Sequence, residues 1–185
     1  GAQPGTMGGF FRMNPRVDDI PERFATVKDG VHLIVMGTVD HGGSGCVCPE
    51  SVLLKNLVQH LVLYENDALV MDMEAGVEHL GRATAQAVDA FIVVVEPGRR
   101  SVQTAETILK LAQDIGLPHV YAVGNKLEDD ADEAFIRSFL PEGLPLLAAI
   151  PFSAAIRRAA KEGRPPDLVF PQVEEILSRL EEIAV

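Results

Sequence analysis

The chain has 185 residues, 47% of them hydrophobic and only 5% aromatic, with no Trp and a formal net charge of -11. That length supports one domain with a substantial core of Val, Leu, Ile and Ala. The acidity excludes a basic stripe for phosphate backbones, so no nucleic-acid partner is expected. No apolar run reaches the length of a membrane span, so no membrane partner is expected either.

Residues 1–29 read as loop and turn, rich in Gly and Pro and without the apolar core of a signal peptide. VHLIVMG (Val31–Gly37) then reads as a buried strand. SVLLKNLVQHLVLYE (Ser51–Glu65) has helical periodicity. DALVMD (Asp67–Asp72) is a strand ending in an acid, and GVEHLGRATAQAV (Gly76–Val88) a helix. AFIVVVEP (Ala90–Pro97) is a nearly continuous apolar strand stopped by Pro97. SVQTAETILKLAQDIG (Ser101–Gly116) is an amphipathic helix, capped by Ser101 and ended by Gly116. HVYAVGNK (His119–Lys126) is a strand, DEAFIRSFL (Asp132–Leu140) a short helix and LPLLAAIP (Leu144–Pro151) a strand. SAAIRRAAKEG (Ser153–Gly163) and PQVEEILSRLEEIAV (Pro171–Val185) are helices, the second with Pro171 in its first turn.

Strands alternate with helices, and the strands are continuous apolar runs. The expected fold class is α/β, a mostly parallel sheet buried on both faces by helices. Ligands bind such sheets beyond the carboxyl ends of the strands. The residues to watch are therefore His41–Pro49, Asp72–Gly76, Glu96–Arg100, Asn125–Lys126 and Pro151–Ser153.

Asp72 stands at a strand tip, with Gly76 four residues on. Such a carboxylate suits a Mg²⁺ ion or its water, and such a glycine amide a terminal phosphate. The same pattern also fits an ordinary strand-to-helix turn. Asn125 carries an amide that both donates and accepts, which suits a purine edge, though a turn residue explains it as well. Pro151 can pack on a ring, and the alternative is that Ser153 simply caps the next helix. A P-loop is missing: no Gly-Lys dipeptide occurs in the chain. With Gly1 in place of Met, the expectation is a piece of a longer protein.

The only two cysteines are Cys46 and Cys48, in GSGCVCPE. They are no disulfide scaffold, and the expected location is cytoplasmic, with reduced thiols. In extended chain, residues i and i+2 lie about 6.6 Å apart, which strains a disulfide. Two thiolates are too few for a closed tetrahedral site. Two copies of the chain on a two-fold axis supply four, enough for Zn²⁺ or Ni²⁺. Flanking glycines free the loop to turn, and a helix starting at Pro49 favours the thiolate of Cys48. Two small buried residues, or a redox pair, are the other readings.

GSGCVCPESVLLKNLVQHLVL, VMDMEAGVEHLGRATAQAVDAFIVVVEPGRRSVQTA and VGNK together resemble the CooC family. These are MinD/ParA-type P-loop ATPases that help deliver nickel to carbon monoxide dehydrogenase. The likeness runs through essentially the whole chain. It implies that residues 1–185 are the C-terminal greater part of one nucleotide-binding domain. It implies ATP or ADP with Mg as cofactor, Cys46 and Cys48 as ligands of Ni or Zn shared across a homodimer, and carbon monoxide dehydrogenase as client. Asp72, as a catalytic residue, and Gly76 then belong to the switch II segment, while Asn125, Lys126 and Pro151 lie near the adenine. Family members begin with a strand, a KGGVGKT-like P-loop and a switch I aspartate. Those parts are not in this sequence, so the chain as written is not expected to hydrolyse ATP alone.

Two other functions compete. One resembles the nitrogenase iron protein, an electron-transfer ATPase with an iron–sulfur cluster at its dimer interface. That protein draws a further cysteine from the segment after switch II, where this chain has His79. The other is a MinD/ParA-like scaffold whose cysteines are incidental.

Overall fold

The computed structural model describes residues 25–35, 68–73 and 88–182. The chain divides into two compact units, Gly1–Asp72 and Met73–Val185. The helices expected at Ser51–Glu65 and across most of Gly76–Val88 lie outside the described residues, as does the cysteine loop.

In the first unit, β1 (Thr26–Lys28) pairs antiparallel with β2 (Val31–Leu33). Lys28 faces Val31, which leaves Asp29 and Gly30 as a two-residue loop. Both have positive φ, 51° and 82°. That is the backbone of a type I′ turn, whose twist matches that of the strands. Asp-Gly is its preferred pair, because Gly has no Cβ to clash and Asp tolerates the left-handed region. The buried strand expected over Val31–Gly37 is thus corrected: its described part is a short exposed hairpin arm, with Val31 67% exposed. Part of the stretch read as loop, Thr26–Lys28, supplies the other arm. The strand expected at Asp67–Asp72 is also corrected. Ala68–Met73 carries no regular element, because among the described residues its backbone pairs with no neighbouring strand.

The second unit follows the expected alternation. Among the described residues its elements are β3 (Phe91–Val95), α1 (Arg99–Asp114), β4 (Val120–Leu127), α2 (Asp130–Phe139), β5 (Leu146–Pro151), α3 (Ala154–Lys161) and α4 (Pro171–Glu181). The strands form a parallel sheet in the order β3-β4-β5. Parallel neighbours need a crossover, and α1 and α2 provide the two. Val93 and Val95 share one hydrophobic cluster with Val102, Ala105, Leu109 and Ala112 of α1, Ala122 of β4 and Ile136 of α2. Both helices therefore lie on the same face of the sheet. On α1 these residues recur at three- and four-residue intervals, one stripe of a helix. α4 packs on β5.

Three local expectations change. β3 is not buried on both faces: Ile92 and Val94, the alternate residues, are exposed, Val94 by 59%. Ser101 does not cap α1. The helix starts two residues earlier, with Gly98 at the cap, and Ser101 Oγ instead accepts from the Glu96 backbone N–H at 3.0 Å. α2 likewise starts before Asp132. Its cap is Asp129, whose Oδ1 accepts from Asp132 N–H at 3.1 Å, while Asp132 Oδ2 accepts from Glu128 N–H at 2.8 Å. This reciprocal pair satisfies donors that the first helical turn leaves free. Ser153 does cap α3, accepting from Ile156 N–H at 3.3 Å, and Pro171 opens α4. No described helix is long and apolar enough to cross a membrane.

Candidate functional site at the carboxyl ends of the parallel strands

The register of the sheet decides which residues meet. Val95 pairs with Gly124, Gly124 with Ala149, and Asn125 with Ile150. The strands therefore end side by side. Glu96 leaves β3, Asn125 and Lys126 lie near the end of β4, and Pro151 closes β5. Four sequence-predicted positions thus share one rim of one sheet.

The β4 segment of that rim is irregular. Its pairing with β5 slips between Asn125 and Leu127, so Leu127 faces Pro151 and Lys126 is an extra residue. Lys126 has φ 61°, the left-handed region. Regular alternation would place Leu127 on the face away from Gly124. The extra residue restores it to the buried cluster, where a Cβ built on Gly124 would lie 3.2 Å from Leu127 Cδ1 and 3.3 Å from Ile136 Cδ1. A side chain at Gly124 would press on both of these side chains, which would have to give by a few tenths of an ångström. Bulges of this kind re-aim side chains, and they recur beside functional sites.

Lys126 reaches across to β3, where its Nζ pairs with Glu96 Oε1. Both side chains are more than half exposed, so the pair contributes at most about 1 kcal/mol. Asn125 is half-buried. Among the described residues, no side chain or backbone group hydrogen-bonds its amide. After β5 the Phe152 N–H donates to the Leu127 carbonyl at 2.8 Å, tying the two strand ends together. The Arg157 guanidinium lies 5.2 Å from the centre of the half-exposed Phe152 ring. Phe152 lies within the strand-end stretch Pro151–Ser153 expected from sequence, but its ring was given no role there; an aromatic directly after the strand-ending Pro151 was the available signal.

The remaining predicted residues fall elsewhere. Asp72 is an exposed carboxylate in the first unit. Cys46, Cys48, Gly76 and His79 lie outside the described residues. Among the described residues, no group of three or more His, Cys, Asp or Glu could hold a metal ion.

No family model matches the chain. The carbon monoxide dehydrogenase accessory protein CooC of Rhodospirillum rubrum is 46% identical over 158 residues, 85% of this chain and 60% of that protein. An uncharacterized ATP-binding protein of Methanocaldococcus jannaschii is 38% identical over 178 residues, 95% of this chain and 69% of that protein. A second ATP-binding protein of the same organism is 33% identical over 154 residues, 82% of this chain and 59% of that protein. The chain thus spans three-fifths to about two-thirds of the lengths of these relatives. With the parallel sheet and its polar rim, these identities place the chain in the CooC-type family of ATP-binding proteins, on a P-loop NTPase-like α/β fold.

Proposed function

We propose that the chain is part of a nickel-handling ATPase that serves the maturation of carbon monoxide dehydrogenase. The observation that carries this reading is the 46% identity over 85% of the chain to a protein named as an accessory of that enzyme. The rim of the sheet supports a nucleotide. Asn125 offers a half-buried amide, with a donor and an acceptor, to a purine edge, and Pro151 offers an apolar surface to the ring. Lys126 stands beside them. Asp72 presents a hard oxygen donor of the kind Mg²⁺ takes, and Gly76 an amide for a terminal phosphate.

Cargo is held by Cys46 and Cys48. One chain supplies two thiolates and a second copy two more. Four sulfurs hold a divalent ion better than two, so the closed homodimer takes up nickel and its separation releases it. Nucleotide binding favours the closed form, and hydrolysis ends it.

Nickel titration of the full-length protein at several protein concentrations, with and without ATP, tests this. One ion per two chains is expected, with affinity rising with concentration and with ATP, and lost in Cys46→Ser/Cys48→Ser. One ion per chain at every concentration sinks the shared site. A brown chromophore after anaerobic purification would indicate an iron–sulfur cluster instead.

A further inference from the structure

The bulge at Lys126 presents a question that the core alone does not answer. Returning Leu127 to the buried cluster requires one extra residue, but not a lysine. A side chain at φ 61° is strained, and glycine would adopt that conformation freely. Yet the position holds a lysine, and its ammonium is paired with Glu96, the residue directly after the neighbouring strand β3. Glu96 is itself anchored: its backbone N–H donates to Ser101 Oγ in the first turn of α1. The residue before the kink is Asn125, whose amide has no partner among the described residues. The Asn125–Lys126 peptide is therefore held from its far side, through Lys126 and Glu96, by β3 and α1.

We infer that Glu96 is a positioning residue: by clamping Lys126 in its left-handed turn it orients the Asn125 amide for reading a purine edge, and so sets the preference for adenine over guanine. This rests on the nucleotide reading above and deepens it. The chemistry is directional. Adenine presents an N6 amino donor beside the N7 acceptor, which one amide matches with its oxygen and its nitrogen. Guanine presents O6 and N7, two acceptors, and leaves the amide oxygen unpaired. An amide free to swing with the peptide before Lys126 loses that distinction. The clamp is an exposed ion pair, so its loss weakens the selection rather than abolishing binding.

Calorimetric binding of ATP and GTP by the full-length protein tests the clamp. In Glu96→Gln, which keeps the shape and removes the charge, ATP affinity is expected to fall by about 1.5- to fivefold, the range of an exposed pair, with GTP affinity nearly unchanged. The ratio of the two affinities then narrows. Lys126→Gly provides the control, because glycine adopts φ 61° without strain and leaves Glu96 no ammonium to pair with. Added to Lys126→Gly, Glu96→Gln is expected to change neither affinity nor ratio. The inference is overturned if Glu96→Gln leaves the ratio unchanged, if both nucleotides weaken equally, or if its effect persists in the glycine background. A protein that binds ATP normally but shows any of these results overturns the clamp alone. One that binds no adenine nucleotide overturns the nucleotide reading, and the clamp with it.

Discussion

The hairpin β1-β2 and the sheet β3-β4-β5 are both small sets of paired strands, but different forces specify them. The hairpin is made by its turn. Two residues with positive φ close it, and its apolar side chains Val27, Val31 and Leu33 are exposed. The sheet is made by its core. Its parallel strands are joined by helices rather than by turns, and Val95, Ala122 and Ile136 are essentially inaccessible. A contact between neighbours in sequence needs little beyond local backbone preference. A contact across a crossover must outweigh the entropy of ordering the chain between.

Substitutions can break this contrast. The largest effect is expected from Ile136→Ala, which empties a fully buried site under β4. It should cost about 2–5 kcal/mol, read as a lower urea midpoint of the second unit. Next is Gly124→Val, whose side chain meets Leu127, Ile136 and Ala149 at once. Overpacking there should cost about 1–3 kcal/mol in the same measurement. Asp129→Ala removes the acceptor for Asp132 N–H and should cost about 1 kcal/mol, with helix α2 exchanging its first-turn amides faster. In the hairpin, Gly30→Ala should cost about 1 kcal/mol through its left-handed backbone. The sharpest contrast comes last: Val27→Thr should change stability by less than about 0.5 kcal/mol, since an exposed strand position has little packing to lose. A Val27→Thr loss as large as that of Ile136→Ala would mean that the hairpin is a core element after all.

Much of the second unit was readable in advance because its apolar runs and helical stripes report burial directly. All three strands and four helices among the described residues of the second unit were anticipated, with ends displaced by a few residues. The errors have local causes. Asp-Gly between Thr-Val-Lys and Val-His-Leu is a hairpin signal that the longer apolar run Val31–Val35 masked. Ser101 looked like a cap because serine often is one. Gly98 starts the helix earlier and leaves the hydroxyl free for Glu96. For the site, Asn125, Lys126 and Pro151 were legible as strand ends. The bulge was not, because nothing in V-G-N-K-L marks which residue will be skipped in pairing with β5.

The amino-acid sequence by itself determined the strand–helix alternation, the cysteine pair at Cys46 and Cys48 and the likeness to the CooC family. Those depend on residue type and spacing along one chain. Only the tertiary structure decided that Glu96, Asn125, Lys126 and Pro151 share a rim, and that Lys126 is kinked toward Glu96. Register and bulges are set between strands, by how Leu127, Gly124 and Ile136 pack. Glu96 and Lys126 are 30 positions apart in the chain, and only the pairing of β3 with β4 brings their charges together.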